Sequence, residues 1–221
     1  MRGCVLAIAT FGLASCDEMA MLGAPFDAAG NAAGEGIRTL SLLGGDVRVR
    51  GPEGYCVDQA ASNARRGFAV MAGCALLSDE AAVMPTLDGL ITVQFGADGT
   101  ASIDGNEEAF ASFLESDAGR GVLARSGDMA SVAGVSTSTG RTGVLARFED
   151  TSGPAIAGTS GPQWRGFLDL DGRLVTVSVL SFDRDALSRG EGERLLTVTM
   201  AELVAANAPA QVAEGTPEEN G

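Results

Sequence analysis

The chain has 221 residues, of which 45% are hydrophobic and 20% charged, a composition typical of a globular protein with its own core. Its net charge of −14 argues against nucleic-acid binding, because phosphate backbones would repel it. The sequence contains no histidine, and every basic residue is arginine. These absences exclude Ser-His-Asp and Cys-His catalytic sets, His-containing zinc sites and lysine Schiff bases. We therefore predict no catalytic residues, no cofactor and no metal site.

The first residues are typical of a secretion signal. Met1-Arg2 gives a positive start, and an apolar run follows from about Cys4 to Ala14. That run is too short to span a bilayer, which needs roughly 20 residues, but it suits a signal peptide. Leu13-Ala14-Ser15-Cys16 resembles the lipobox of bacterial lipoproteins. An ordinary secreted protein and a short buried helix are the alternatives.

The lipobox resemblance implies a membrane anchor. In that family the leader, here residues 1–15, is removed, and the cysteine, here Cys16, carries a diacylglyceryl group and becomes the N-terminus. The resemblance implies a lipoprotein of the cell envelope that faces the periplasm. Asp17 resembles the residue that keeps enteric lipoproteins in the inner membrane, although the outer membrane stays an alternative.

The rest of the chain divides into three parts. Residues 16–36 are rich in Ala and Gly and are predicted to form a flexible tether, with a reach on the order of 25 Å. Residues 37–207 form one predicted domain. Residues 208–221 are predicted to be a disordered acidic tail.

Two cysteines remain in the domain. Cys56 and Cys74 form an even pair, and both follow residues with strand character. In an oxidising compartment this predicts a structural disulfide. A redox pair or a nucleophile is the alternative, but the spacing is not Cys-x-x-Cys and no histidine is present to activate a thiolate.

The clearest predicted element is a hairpin. Residues 163–170 and 173–180 flank Asp171-Gly172, a strong two-residue turn signal. This register pairs Trp164 with Val179 on an apolar face that we expect to be core. Further strands are predicted at 46–49, 89–95, 130–137 and 142–149, with Thr139-Gly140 as the turn between the last two.

Two helices are also predicted. Asn106 is expected to cap the first, which presents Phe110, Phe113 and Leu114 on one face and ends at Gly119. The second begins at a capping box from Ser188 to Glu191 and continues to about residue 207. Its apolar stripe consists of Leu196, Met200, Leu203 and Val204.

Together these elements predict an α+β fold, a mostly antiparallel sheet covered by helices in an α-β-α sandwich. The late hairpin followed by a C-terminal helix resembles the element order of Mog1/PsbP-like domains. That resemblance implies a binding or assembly role.

Three other features have ordinary structural explanations. Arg65-Arg66 is expected to be solvated rather than to bind an anion. Glu107-Glu108 suits a helix start rather than a glycosidase pair. The acidic turns at 96–99 and 169–172 do not match a calcium loop.

The resulting prediction is a lipid-anchored envelope protein that binds a protein partner or a small ligand without catalysis. One alternative is a carboxylate-based hydrolase that acts on envelope material, with two acidic side chains about 5–10 Å apart in a cleft. A purely structural envelope component is the other alternative.

Overall fold

The computed structural model describes residues 36–78 and 84–209. The leader, Cys16, Asp17, the tether up to residue 35 and the tail from residue 210 lie outside the described residues, so the expectations for them stay predictions.

Within the described residues, nine strands form two antiparallel sheets. A small hairpin comes first and consists of β1 (Thr39–Leu42) and β2 (Val47–Arg50). The main sheet has seven strands: β3 (Tyr55–Asn63), β4 (Phe68–Gly73), β5 (Gly89–Phe95), β6 (Val132–Gly140), β7 (Gly143–Asp150), β8 (Thr159–Leu170) and β9 (Arg173–Phe182).

The main sheet is made of two meanders. Its strand order is β3-β4-β5-β9-β8-β7-β6, and all neighbours are antiparallel. The first meander, β3 to β5, therefore joins the second, β6 to β9, through the pairing of β5 with β9 at the centre of the sheet.

Helices lie on both faces of the main sheet. They are α1 (Cys74–Leu77), α2 (Glu107–Glu115), α3 (Asp117–Leu123) and α4 (Arg189–Asn207). One face packs against α4 and the β1–β2 hairpin, in a core that includes Trp164, Leu196 and Met200. The other face packs against α2 and α3 around Phe148 and Phe167. The protein thus has the predicted α+β fold, with a mostly antiparallel sheet covered by helices.

The hairpin of β8 and β9 confirms the predicted register. Trp164 pairs with Val179 and Leu168 with Val175, and Trp164 is only 2% exposed. Asp171 and Gly172 both have positive φ, as a two-residue hairpin turn of this kind requires.

The predicted turn between β6 and β7 is wrong by two residues. Thr139 and Gly140 still lie in β6, and the turn is Arg141-Thr142, between the paired Gly140 and Gly143. Gly143 has a φ of 124°, and a Cβ atom there would lie 2.0 Å from the carbonyl oxygen of Phe167. The glycine at position 143 therefore allows close packing of β7 against β8.

The first predicted helix is two helices. α2 ends at Glu115, and the Ser116 side chain caps α3 by accepting a hydrogen bond from the Gly119 N–H. Gly119 lies inside α3, where a Cβ atom would meet the Phe113 carbonyl oxygen at 2.0 Å. Phe113 is 39% exposed, and Asn106 makes no side-chain cap.

α4 begins as predicted. Ser188 and Glu191 form the reciprocal capping box. The buried stripe continues through Leu196, Met200 and Leu203, whereas Val204 is 42% exposed and does not belong to it.

Candidate functional site

An open groove lies at the end of the sheet where β3 begins. Its volume is about 540 Å³. Three segments that are distant in sequence form it: the turn before β3, the residues before β5, and one side of α4. The lining residues are Pro52, Glu53, Gly54, Tyr55, Met84, Pro85, Thr86, Leu87, Leu195, Val198 and Glu202.

The turn before β3 is held by backbone contacts. The Tyr55 N–H donates to the Pro52 carbonyl at 3.0 Å, and the Cys74 N–H donates to the Gly54 carbonyl at 2.8 Å. Gly54 has a φ of 83°, and a Cβ atom there would lie 3.1 Å from Cβ of Pro85. A glycine at this position lets two walls of the groove approach each other closely.

Tyr55 ties the floor of the groove to β5. Its ring is 1% exposed; its hydroxyl donates to the Leu87 carbonyl at 2.5 Å and accepts from the Gly89 N–H at 3.0 Å. Burial raises the pKa of Tyr55 well above its ordinary value, against a smaller lowering by the hydrogen bond with Gly89. The hydroxyl therefore stays neutral and acts as a structural support.

The groove surface is partly apolar and partly polar, with a carboxylate on each of two walls. Met84 and Val198 supply exposed apolar surface, at 39% and 38% exposure. Glu53 lies on the turn before β3, and Glu202 lies on α4, where its carboxylate is 3.7 Å from Nε of Arg50. Within residues 36–78 and 84–209, Glu53 pairs with no arginine. This arrangement suits an apolar group with a positive charge beside it.

The predicted disulfide is present next to the groove. It joins Cys56 to Cys74, with their Cα atoms 4.8 Å apart, which is within the usual range. The bond connects the start of β3 to the start of α1, and both cysteines are buried. It fixes the end of the sheet that carries the groove and leaves no free thiol there.

The other residues weighed from the sequence lie away from the groove. Arg65 and Arg66 are exposed in a short 3-10 turn between β3 and β4. Glu107 accepts from the Gly105 N–H, and Glu108 accepts from the Thr139 hydroxyl, both near the start of α2. These contacts account for Glu107 and Glu108 as parts of the fold.

Asp169 is likewise structural. Its carboxylate accepts hydrogen bonds from the backbone N–H groups of Ser102, Ile103 and Asp104, at 3.0, 2.6 and 2.9 Å. Those bonds use the oxygens that a calcium ion would need. Within the part of the chain that the structure describes, no group of three or more His, Cys, Asp or Glu residues is placed to hold a metal.

Among the described helices, none is both long and apolar enough to cross a membrane.

The sequence did not single out the groove. Its lining comes from three separate segments, and Pro52, Leu87 and Val198 are unremarkable in their local context. Gly54 and Tyr55 do precede Cys56, but that cysteine predicts a disulfide and not a groove.

Comparisons with known proteins do not place the chain in a family. No protein-family model matches it, and no curated protein sequence does. One similar solved structure is the Ran-binding protein Mog1p of Saccharomyces cerevisiae, with 10% identity over 78% of this chain and 93% of that chain, and a TM-score of 0.40. A mutant of Mog1 matches 76% of this chain and 91% of that chain, with 10% identity and a TM-score of 0.39. Fold and groove together define a disulfide-linked α+β protein with an open groove of mixed polar and apolar surface.

Proposed function

We propose that the chain is a lipid-anchored protein of a bacterial cell envelope whose domain binds a segment of a protein partner in the groove, without catalysing a reaction. The observation that carries this proposal is the groove itself, which combines exposed apolar side chains with Glu53 and Glu202 on separate walls.

The anchor rests on Cys16 and its lipobox. Acyl chains hold a protein at a bilayer because each buried CH₂ contributes about 0.8 kcal/mol, and two chains hold firmly where one does not. The disulfide between Cys56 and Cys74 supports an oxidising compartment such as the periplasm, since structural disulfides persist there and are rare in the cytosol.

The occupant of the groove follows from its chemistry. Exposed Met84 and Val198 would be covered by an apolar side chain, and methionine adapts well to irregular partners. Glu53 would accept a salt bridge from an Arg or Lys beside that side chain. The chain's net charge of −14 favours a basic partner through long-range attraction. We therefore expect a protein segment with an apolar residue flanked by a basic one.

A photo-cross-linking amino acid at position 198, in intact cells, tests this directly. The proposal expects a cross-link to one envelope protein, at a segment that combines an apolar and a basic residue. Glu53→Arg should abolish the cross-link, because it places a positive charge where the partner carries its own. The matched control is the same cross-linker at position 122, since Val122 is 55% exposed on α3. Equal cross-linking from both positions, or a cross-link unaffected by Glu53→Arg, would contradict the proposal.

A second candidate function is favoured by one observation, the presence of two glutamates in one groove. Glycoside hydrolases use two carboxylates that flank the scissile bond. Here Glu53 is exposed and Glu202 is partly exposed beside Arg50, whereas a general acid usually depends on burial. Release of sugar fragments from cell-wall material by the purified protein, abolished by Glu53→Gln or Glu202→Gln, would establish the hydrolase.

A further inference from the structure

One corner of the domain combines the start of the described chain, the disulfide and exposed leucines. Gly36 lies against Cys56, where a Cβ atom would meet Sγ at 2.6 Å. The Ile37 carbonyl accepts a hydrogen bond from the Val57 N–H at 2.7 Å. The chain therefore enters the domain along the outer edge of β3, beside the disulfide. We call Gly36–Arg38, the disulfide and α1 the disulfide corner.

Exposed leucines follow immediately. α1 begins at Cys74, and its residues Leu76 and Leu77 are 44% and 36% exposed. Single exposed leucines are common on protein surfaces. Here two adjacent leucines lie within three residues of Cys74. They give the corner a small exposed apolar surface.

One exposed arginine lies at this corner. Arg38 is exposed directly after Ile37, whereas Arg48 and Arg50 lie on β2 beside α4, where the Arg48 N–H donates to the Asn207 side chain. Arg50 forms an ion pair with Glu202. Among the residues that the structure describes, neither Arg38 nor Arg48 pairs with a carboxylate. Guanidinium groups match phosphate geometry well.

We infer that the disulfide corner rests on the phospholipid surface, with Leu76 and Leu77 among the headgroups and Arg38 facing a lipid phosphate. This inference rests on the proposed lipid anchor, which supplies the membrane affinity. The corner supplies only the orientation, because the tether predicted from the sequence, with a reach on the order of 25 Å, would not fix it alone. The contact is with phosphates of zwitterionic lipids, because the net charge of −14 would be repelled by an anionic surface.

Tryptophan quenching by brominated lipid tests the orientation in the acylated, full mature protein. Trp164 is the chain's one tryptophan and is buried, so it gives a constant background. Leu77→Trp adds an indole at the corner, and Val122→Trp adds one at an exposed site on α3. In phosphatidylcholine vesicles brominated high on the acyl chain, we expect quenching of the indole at position 77, because the proposed orientation places it at the level of the headgroups. The indole at position 122 should lose none.

A charge-reversing substitution tests how much Arg38 contributes to the orientation. Arg38→Glu should reduce the quenching of the indole at position 77, whereas Arg141→Glu, at the exposed turn between β6 and β7, should not. Vesicle sedimentation of the same samples reports the anchor independently. Protein that sediments with vesicles but shows equal quenching at positions 77 and 122 overturns the orientation and leaves the anchor intact. Protein that does not sediment overturns both.

Discussion

Gly192 of α4 lies directly over the indole ring of Trp164, and a Cβ atom at position 192 would come within 2.3 Å of the ring carbon Cε2. The ring is 2% exposed and sits on the face of β8 that packs against α4. Gly192 is the fourth residue of α4, and glycine within a helix is usually less favourable than alanine. Here it lets α4 approach the sheet closely enough to bury the largest side chain of the core.

Gly192→Ala should therefore lower the free energy of unfolding by about 1–3 kcal/mol, the usual cost of overpacking a core. Urea unfolding measures it. The control is Gly190→Ala in the same helix, where a Cβ atom meets nothing within 4 Å, so stability should be unchanged or rise by no more than about 1 kcal/mol. Similar effects of the two substitutions would contradict the packing described here.

The capping box of α4 gives a second prediction. The Ser188 side chain accepts from the Glu191 N–H at 3.4 Å, and the Glu191 carboxylate accepts from the Ser188 N–H at 2.8 Å. Ser188→Ala should lower the free energy of unfolding by about 1 kcal/mol. Thr197→Ala, an exposed change in the same helix, should cause no loss, because alanine has the higher helix propensity. Thermal unfolding of both variants makes the comparison.

The lowered pKa of Asp150 predicts part of the loss of folding stability in acid. Burial alone would raise the pKa of Asp150, but hydrogen bonds from the N–H groups of Arg125 and Ser152 outweigh it and hold that pKa below the ordinary value of 3.8. A carboxyl group whose pKa is lower in the folded state stabilises the fold above its unfolded pKa, and this contribution is lost as the pH falls through the folded value. Stability should fall below about pH 4, with a shallower slope in Asp150→Asn. Asp183→Asn, at an exposed position, should leave the slope unchanged in urea titrations across pH.

The buried hydroxyl of Tyr55 gives a fourth prediction. Tyr55→Phe leaves the Leu87 carbonyl and the Gly89 N–H without their buried partner, which should cost about 1–3 kcal/mol of unfolding free energy. Because the pKa of Tyr55 is raised in the folded state, its contribution is complete below the ordinary tyrosine pKa of about 10 and is lost only as the pH rises further. Retained stability in Tyr55→Phe would show that the hydroxyl does not support the groove floor.

The disulfide should contribute substantially to stability. It joins residues 18 apart, and for a loop of that length the chain-entropy model gives about 3 kcal/mol. Unfolding of the oxidised protein, compared with the Cys56→Ser/Cys74→Ser double variant, measures the difference. If the unfolding midpoint is the same in the double variant, the disulfide contributes little to the free energy of unfolding.

The sequence predicted those parts of the fold that short-range signals specify. The register of β8 and β9 was predictable because alternation with period 2 on both sides of Asp171-Gly172 leaves one consistent pairing. The start of α4 was predictable because a capping box involves only Ser188 and Glu191.

The sequence could not predict features that depend on distant contacts. Gly119 resembles a helix end, but it lies inside α3 and is glycine because the Phe113 carbonyl lies too close for a side chain. The pairing of β5 with β9 joins segments far apart in the chain, as do the three walls of the groove. Neither has a local signal that periodicity or turn chemistry reveals.

The proposed anchor can be tested most directly by the intact mass of the protein extracted from membranes. The account predicts a chain that begins at Cys16, carries the added mass of a diacylglyceryl group with or without a further acyl chain, and lacks two hydrogens because Cys56 and Cys74 are bonded. A chain that still carries residues 1–15, with no lipid and two free thiols in the domain, would contradict it.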